Sequence, residues 1–341
     1  MVEVTISGEN FLVDGGLVNE GRRVLGVPVD GLLMNSRMIN GIFDDANPST
    51  RGLWKYPDTG EWDAERNVRE LLAQIPVWKE AGLDAITLGL QGGSPRSYSK
   101  DKEQPWDNAA FTPAGELLPA YADRLGRVLD VADDVGLIVM VNVFYFGQDE
   151  RLQDESSVRR ALVQVSEFLL RSGHRNVLVD VANECDIKYH HPVLLAPRIH
   201  ELIALAKSVE VDGRRLLVSS SFTSKNRPTP AAIEESDFVL VHGNTAHDPA
   251  QITNIVDDVR ATRGYRPMPV VFNEDDHFDF GEPVNNFVAA LRSRASWGYF
   301  DPGVGSVESG FIGNYHDGYQ APPIDWSIGS PRKKAFFAVL R

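Results

Sequence analysis

The chain is poor in cysteine, in basic clusters and in long apolar runs, and each shortage removes a class of protein. Cys185 is the only cysteine among 341 residues, so no intrachain disulfide can form and export to an oxidising compartment is not needed for stability. No run of about 18 apolar residues occurs, which argues against a membrane-spanning helix. The start, Met1-Val2-Glu3-Val4-Thr5, lacks the basic residues and apolar stretch of a secretion signal. On that reading the cytoplasm is favoured, with a secreted form whose signal has been removed as the alternative. Lys and Arg number 34 against 48 Asp and Glu, a formal net charge of -14. The short basic clusters are Arg22-Arg23, Arg214-Arg215 and Arg332-Lys333-Lys334, too small to track a phosphate backbone. A nucleic-acid partner is therefore disfavoured and a neutral substrate expected. Gly92-Gly93 belongs to no glycine-rich motif with a following lysine, so no phosphate site is read there.

What is present is a large supply of core residues, 43% hydrophobic against 24% charged. Short apolar runs alternate with helical patterns, the mark of a parallel sheet with crossover helices. The first strand lies within 31–42, starting at Leu32-Leu33-Met34, and the others fall at 85–90, 137–143, 177–181, 216–220, 238–241, 270–272 and 297–300. Helical patterns follow at 64–81, 118–135, 157–170, 196–209, 231–235, 249–262 and 284–294, with a last helix starting near Ser330-Pro331. Asp63 suits an N-cap, and Gly82 and Gly136 suit C-terminal stops. Eight strands, each followed by a helix, predict a (β/α)8 TIM barrel, a single domain over residues 1–341. Residues 1–25 predict a small β-hairpin, Thr5-Ile6 against Asn10 to Val13 with a turn at Gly15-Gly16, capping the barrel floor.

In such barrels the chemistry sits at the C-terminal ends of the strands. Strand four ends in Ala182-Asn183-Glu184-Cys185, and strand seven in Asn273-Glu274-Asp275-Asp276-His277. A single glutamate after a strand is as often a solvated loop carboxylate. Two facing each other across a barrel mouth are what cleavage of a glycosidic bond needs, one to protonate the leaving oxygen and one to attack the anomeric carbon.

Asn183-Glu184 after strand four, with Glu274 closing Pro269-Val270-Val271-Phe272-Asn273-Glu274, resembles clan A of the retaining glycoside hydrolases, which includes the cellulase-like family 5 enzymes. The 90 positions between the two glutamates leave room for three intervening β/α units. The resemblance implies a hydrolase of carbohydrate metabolism, with Glu184 as general acid and then base and Glu274 forming the glycosyl-enzyme. It implies Asn183 as donor to the sugar 2-hydroxyl. No cofactor and no metal are implied. Three departures stand out. Gln91 occupies the end of strand two, where the family usually has arginine. His242 is placed as the family's strand-six histidine, but Gly243 and Asn244 follow where a tyrosine is often found. Trp297 opens strand eight instead of flooring the sugar site, and Trp326 is the substitute.

The candidate substrate-binding residues are thus Asn183, His242, Arg37, Gln91, Tyr145 and Trp297. Two readings stand for Arg37, support of Glu274 or a plain salt bridge, and two for Tyr145, a subsite wall or a loop anchor. Phe144, Phe146 and Trp106 suit stacking on sugars or packing against loops. Cys185 reads as a packing residue. His190-His191 reads as the lip of a loop. Asp275, Asp276 and His277 resemble a metal cluster, but neighbouring side chains are expected to diverge. The first histidine is His174, so strand one carries no His-x-His of the metal-dependent hydrolase barrels. The long segment Gln91 to Phe111 is expected to wall off part of the cleft and favour exo action. The alternatives are a carbohydrate-binding barrel without turnover and a transglycosylase using the same two glutamates.

Overall fold

A computed structural model of the chain describes residues 1–93, 95, 104–302 and 318–341. Nine parallel stretches form one sheet. They are β1 (Met34–Arg37), β2 (Ala85–Gly89), β3 (Ile138–Phe144), β4 (Val177–Ala182), β5 (Leu217–Ser219, continued as Ser221–Phe222), β6 (Val239–His242), β7 (Val270–Asp275) and β8 (Ala295–Tyr299). The two pieces of β5 are one run of chain interrupted at Ser220. The first pairs with β4 and the second with β6, while β8 pairs with β1, so the sheet closes into an eight-stranded barrel. Strand five was expected to be continuous. The interruption arises because the Ser220 hydroxyl bonds both backbone groups of Ala182, donating to its carbonyl at 2.9 Å and accepting its N–H at 3.2 Å.

The helices that follow the barrel strands are α1 (Ala64–Glu80), α2 (Pro119–Val135), α3 (Glu155–Arg171), α4 (Ile199–Ser208), α5 (Pro230–Glu235), α6 (Pro249–Ala261), α7 (Asn286–Arg292) and α8 (Pro331–Val339), with a single further turn at Pro48–Arg51. Their ends follow local chemistry. The Asp63 side chain accepts the Arg66 N–H at the start of α1, and Gly136 takes a left-handed φ of 72° after α2. Helix α7 begins two residues later than its apolar pattern because the Asn285 side chain caps it, accepting the Val288 N–H. Among the described residues no helix is long and apolar enough to cross a membrane.

The N-terminal segment forms the expected antiparallel hairpin, Val4–Ser7 against Asn10–Val13, and a third strand, Gly16–Leu17, extends it. Phe11 is fully buried and packs with Leu33, Ala85, Ile138, Leu178 and Phe238 at the start of the barrel strands. This plugs the floor. Burial of one such ring contributes about 1.5–3 kcal/mol. Upward from the floor the lumen changes character. Leu33, Met140, Leu178 and Leu240 give way along the same strands to Asn35, Asn142, Asp180 and His242. The main apolar core lies between barrel and helices, so the polar upper lumen is set by the period of two along each strand.

Candidate active site

Strand ends β1, β4, β6 and β7 bring Arg37, Asn183, Glu184, His242 and Glu274 together at the C-terminal mouth. A period of two that turns Val271 inward would turn Glu274 outward. A β-bulge reverses this. Val241 pairs with Phe272, but His242 pairs with Glu274, so β7 holds one extra residue, Asn273. The register against β8 shifts across the same residues. The bulge aims Glu274 at the mouth and sends Asp275 outward, where it accepts the Trp297 indole N–H at 2.8 Å. Glu184 reaches the mouth by another device, a left-handed backbone with φ +48°.

The Glu274 carboxylate forms an ion pair with Arg37, Nε to Oε2 2.7 Å, and accepts the Asn244 amide N–H on Oε1 at 2.5 Å. Glu184 Oε1 lies 2.9 Å from His242 Nδ1, which is also 3.5 Å from Glu274 Oε2. Oxygens of Glu184 and Glu274 and a nitrogen of His242 all fall within 4.8 Å of one another. Burial works against a charged His242, but the Glu274 charge and the Glu184 hydrogen bond outweigh it and raise its pKa. Asn183 Oδ1 accepts Arg37 Nη2 at 2.9 Å, which fixes the amide with Nδ2 as its donor end. Buried atoms around this pair without a protein hydrogen-bond partner among the described residues include Asn183 Nδ2, His242 Nε2 and Asn244 Oδ1. Unpaired buried polar groups are costly, and a ligand dense in hydroxyls would satisfy them.

The remaining expected site residues differ in where they stand. Gln91 is buried with both ends of its amide engaged, accepting the Tyr145 N–H at 3.1 Å and donating to the Gln148 carbonyl at 3.3 Å. It ties the loops after β2 and β3 together. Tyr145 itself is buried beside Arg37, whose guanidinium carbon lies 6.0 Å from its ring, and packs on Phe146 at 4.4 Å. Burial raises its hydroxyl pKa. Trp297 lies outside the lumen, in a ring cluster with Phe280, Phe287 and Phe336. Trp326 stacks on Tyr319, with its indole N–H on Asn67. Phe144 and Phe146 are buried in the main core, and Trp106 packs edge-on against Trp54. The backbone N–H groups of His190 and His191 are both held by Asp149 Oδ2. Of the segment Gln91 to Phe111, residues 94 and 96–103 lie outside the described residues, and the expected wall falls in part on them.

Asp275, Asp276 and His277 present ligand atoms within 4.8 Å of one another. This corrects the expectation that adjacent side chains diverge: the His277 ring turns back so that Nδ1 lies 2.6 Å from Asp275 Oδ1. Glu184, His242 and Glu274 form a second such group. A cation there would have to compete with the Arg37 guanidinium for Glu274.

Sequence reading missed Asn244, Asp180 and Ser221. Asn244 was legible only as a departure from the family pattern. Its reach depends on Gly243, where an added Cβ would stand 2.5 Å from Asp275 Cγ, so only glycine lets the chain pass β7 this closely. Asn244→Ala leaves a buried carboxylate oxygen unpaired, and a loss of roughly 1–3 kcal/mol of stability is expected, read from denaturant unfolding of the two proteins. Asp180 carried a clearer signal, a lone carboxylate inside an apolar strand.

Burial raises the Asp180 pKa from 3.8 to about 6, against opposing contributions from His242, Arg37 and Ser221. The folded chain therefore keeps this proton at pH values where the unfolded chain has lost it. Stability from this group falls as pH rises from about 4 to about 6. The melting temperature of Asp180→Asn relative to the parent should accordingly rise across that window. Parallel melting curves for the two proteins would contradict it.

No protein-family profile matches the sequence, and no curated protein matches it. Solved structures do match in fold. An exo-β-1,4-mannosidase from Opitutaceae bacterium strain TAV5 superposes with a TM-score of 0.55 at 13% identity, covering 92% of this chain and 60% of that one. The chain thus spans about three-fifths of the mannosidase's length. A β-glucosidase from Thermotoga maritima gives 0.55 at 11% identity, over 91% of this chain and 97% of the other. A glycoside hydrolase family 5 enzyme from Prevotella bryantii B14 gives 0.53 at 10%, over 91% and 96%. At such identity the likeness is one of fold.

Proposed function

We propose that this chain, as one catalytic barrel over residues 1–341, is a retaining glycoside hydrolase acting on a neutral oligosaccharide or glycoside. The observation that carries the reading is the spacing of two carboxylates, Glu184 and Glu274, with oxygens within 4.8 Å across the barrel mouth. A retaining pair stands about 5–5.5 Å apart, whereas an inverting pair needs roughly 6.5–9.5 Å to admit a water. The fold shared with glycosidases supports it.

In this mechanism Glu274 is the nucleophile. Arg37 and Asn244 orient its carboxylate. Its oxygen attacks the anomeric carbon as Glu184 gives a proton to the departing oxygen, breaking the glycosidic bond and leaving an ester on Glu274. The ester carries no charge, so Glu184 can now take a proton from water, whose oxygen attacks the same carbon and frees Glu274. His242 Nδ1 sits between the two carboxylates and follows their change of charge. Asn183 Nδ2 is the donor to the 2-hydroxyl, a contact that strengthens in the transition state. Tyr145 borders the sugar site beside Arg37. Gln91 and Trp297 support loop and barrel, and we give them no contact with substrate.

Exo action is proposed on the length of the Gln91 to Phe111 segment. Hydrolysis of an aryl glycoside panel, furanosides included, with NMR of the first-formed anomer, tests the reading. A first product of inverted configuration would overturn it. Product sizes from a matching oligosaccharide test exo action, since random internal cuts would contradict it. A sugar acceptor added to the same assay separates transglycosylation from hydrolysis, because the glycosyl-enzyme is common to both.

A further inference from the structure

Glu184 can act as acid and base only while its carboxylate stays over the mouth, and the turn that puts it there is unfavourable. A non-glycine residue with φ +48° costs about 1–2 kcal/mol. Something must hold it. The two N–H groups of that turn are taken by a single residue. Ser221 Oγ accepts the Glu184 N–H at 3.1 Å, and the Ser221 carbonyl accepts the Cys185 N–H at 3.0 Å.

Ser221 is in turn fixed from below. Asp180 Oδ1 accepts the Ser221 N–H at 3.0 Å and Oδ2 accepts its hydroxyl proton at 3.0 Å. The Asn142 amide donates to the same Oδ2 at 3.0 Å. The hydroxyl has a second possible acceptor, the Ala182 carbonyl at 3.3 Å. The carboxylate favours the orientation in which the Oγ lone pairs are left for Glu184. Asp180, Asn142 and Ser221 are all fully buried. A carboxylate in that position is expensive, and the double displacement itself makes no use of it.

We propose that Asp180 and Ser221 are a positioning pair that clips Glu184 into its left-handed turn and so sets the reach of the proton donor. The pair touches neither reacting atom. It acts through Glu184, and the inference rests on the acid/base reading of that residue. Loss of the clip should therefore hurt where protonation matters and spare reactions that need none.

The test compares kcat/KM, which reports the steps up to the glycosyl-enzyme, for two aryl glycosides of one sugar, one with a poor leaving group and one with a good one, in the parent, Ser221→Ala, Ser221→Thr and Glu184→Ala. Ser221→Ala should lose about 5- to 10-fold on the poor leaving group, the scale of one neutral hydrogen bond, and stay within about twofold on the good one. Ser221→Thr keeps the hydroxyl and should restore the rate. Equal losses on both substrates, no loss, or a loss that threonine does not rescue overturns the pair. If Ser221→Ala does not fold, Asp180→Asn carries the same comparison, because its amide nitrogen cannot accept the hydroxyl proton. Failure of the underlying reading looks different: Glu184→Ala itself would then show no dependence on the leaving group.

Discussion

Glu274→Ala should slow turnover of unactivated glycosides by about 10⁵-fold, the scale seen when a covalent nucleophile is removed. That is about 7 kcal/mol of transition-state stabilisation at 1.36 kcal/mol per decade. No other carboxylate among the described residues is placed with Glu184 and His242, so nothing can take over the attack. The substitution also strands Arg37, whose side chain is 1% exposed. Removing one partner of a buried pair costs about 3–5 kcal/mol of stability. Glu274→Gln, which keeps shape and an acceptor for Arg37, therefore belongs beside it. Both variants should lose catalysis, and only the alanine should melt substantially earlier. Azide offers a sharper readout. Entering the space left by the side chain, it attacks from the nucleophile's face once and should yield a glycosyl azide of inverted configuration. Retention in that product, or near-native rates in both variants, would remove Glu274 from the mechanism.

Glu184→Ala should show a different pattern. General acid catalysis contributes about 10²–10⁴ in rate, and that loss is expected only where the leaving group needs a proton. With a good leaving group, attack by Glu274 still forms the ester, but no base activates water to clear it. A burst of aglycone followed by slow turnover should result. Azide needs no base, so it should speed the second step and give a glycosyl azide of retained configuration after two displacements. Glu184 is more exposed than Glu274, its side chain at 16%, so little stability should be lost. A uniform fall over all leaving groups, without azide acceleration, would show that Glu184 does not handle the proton.

Much of this site was legible because it depends on short-range pattern. Apolar runs of strand length ending in Asn183-Glu184 and Asn273-Glu274 place both glutamates at one rim, whatever the detail of the loops. His242 follows from the same logic, one step past Val239-Leu240-Val241. The aromatic expectations fared worse. Trp297 sits on a strand, and whether it faces the lumen or the helices is decided by register with neighbours. It faces Phe287 and Phe336, and Asp275 takes its N–H. Gln91 was placed at the right strand end, yet its amide is spent on Tyr145 and Gln148, partners whose position no local pattern reveals.

The sequence by itself determined the barrel, the rim and the two glutamates, because hydrophobic periodicity and helix caps are written in neighbouring residues. The tertiary structure alone decided where side chains point. The bulge at Asn273 turns Glu274 inward through pairing with β6 and β8, and the turn at Glu184 is held by Ser221, 37 positions away. Arg37 reaches Asn183 across 146 positions. Such contacts are energies of closure between distant segments, and they exist only once the strands have met.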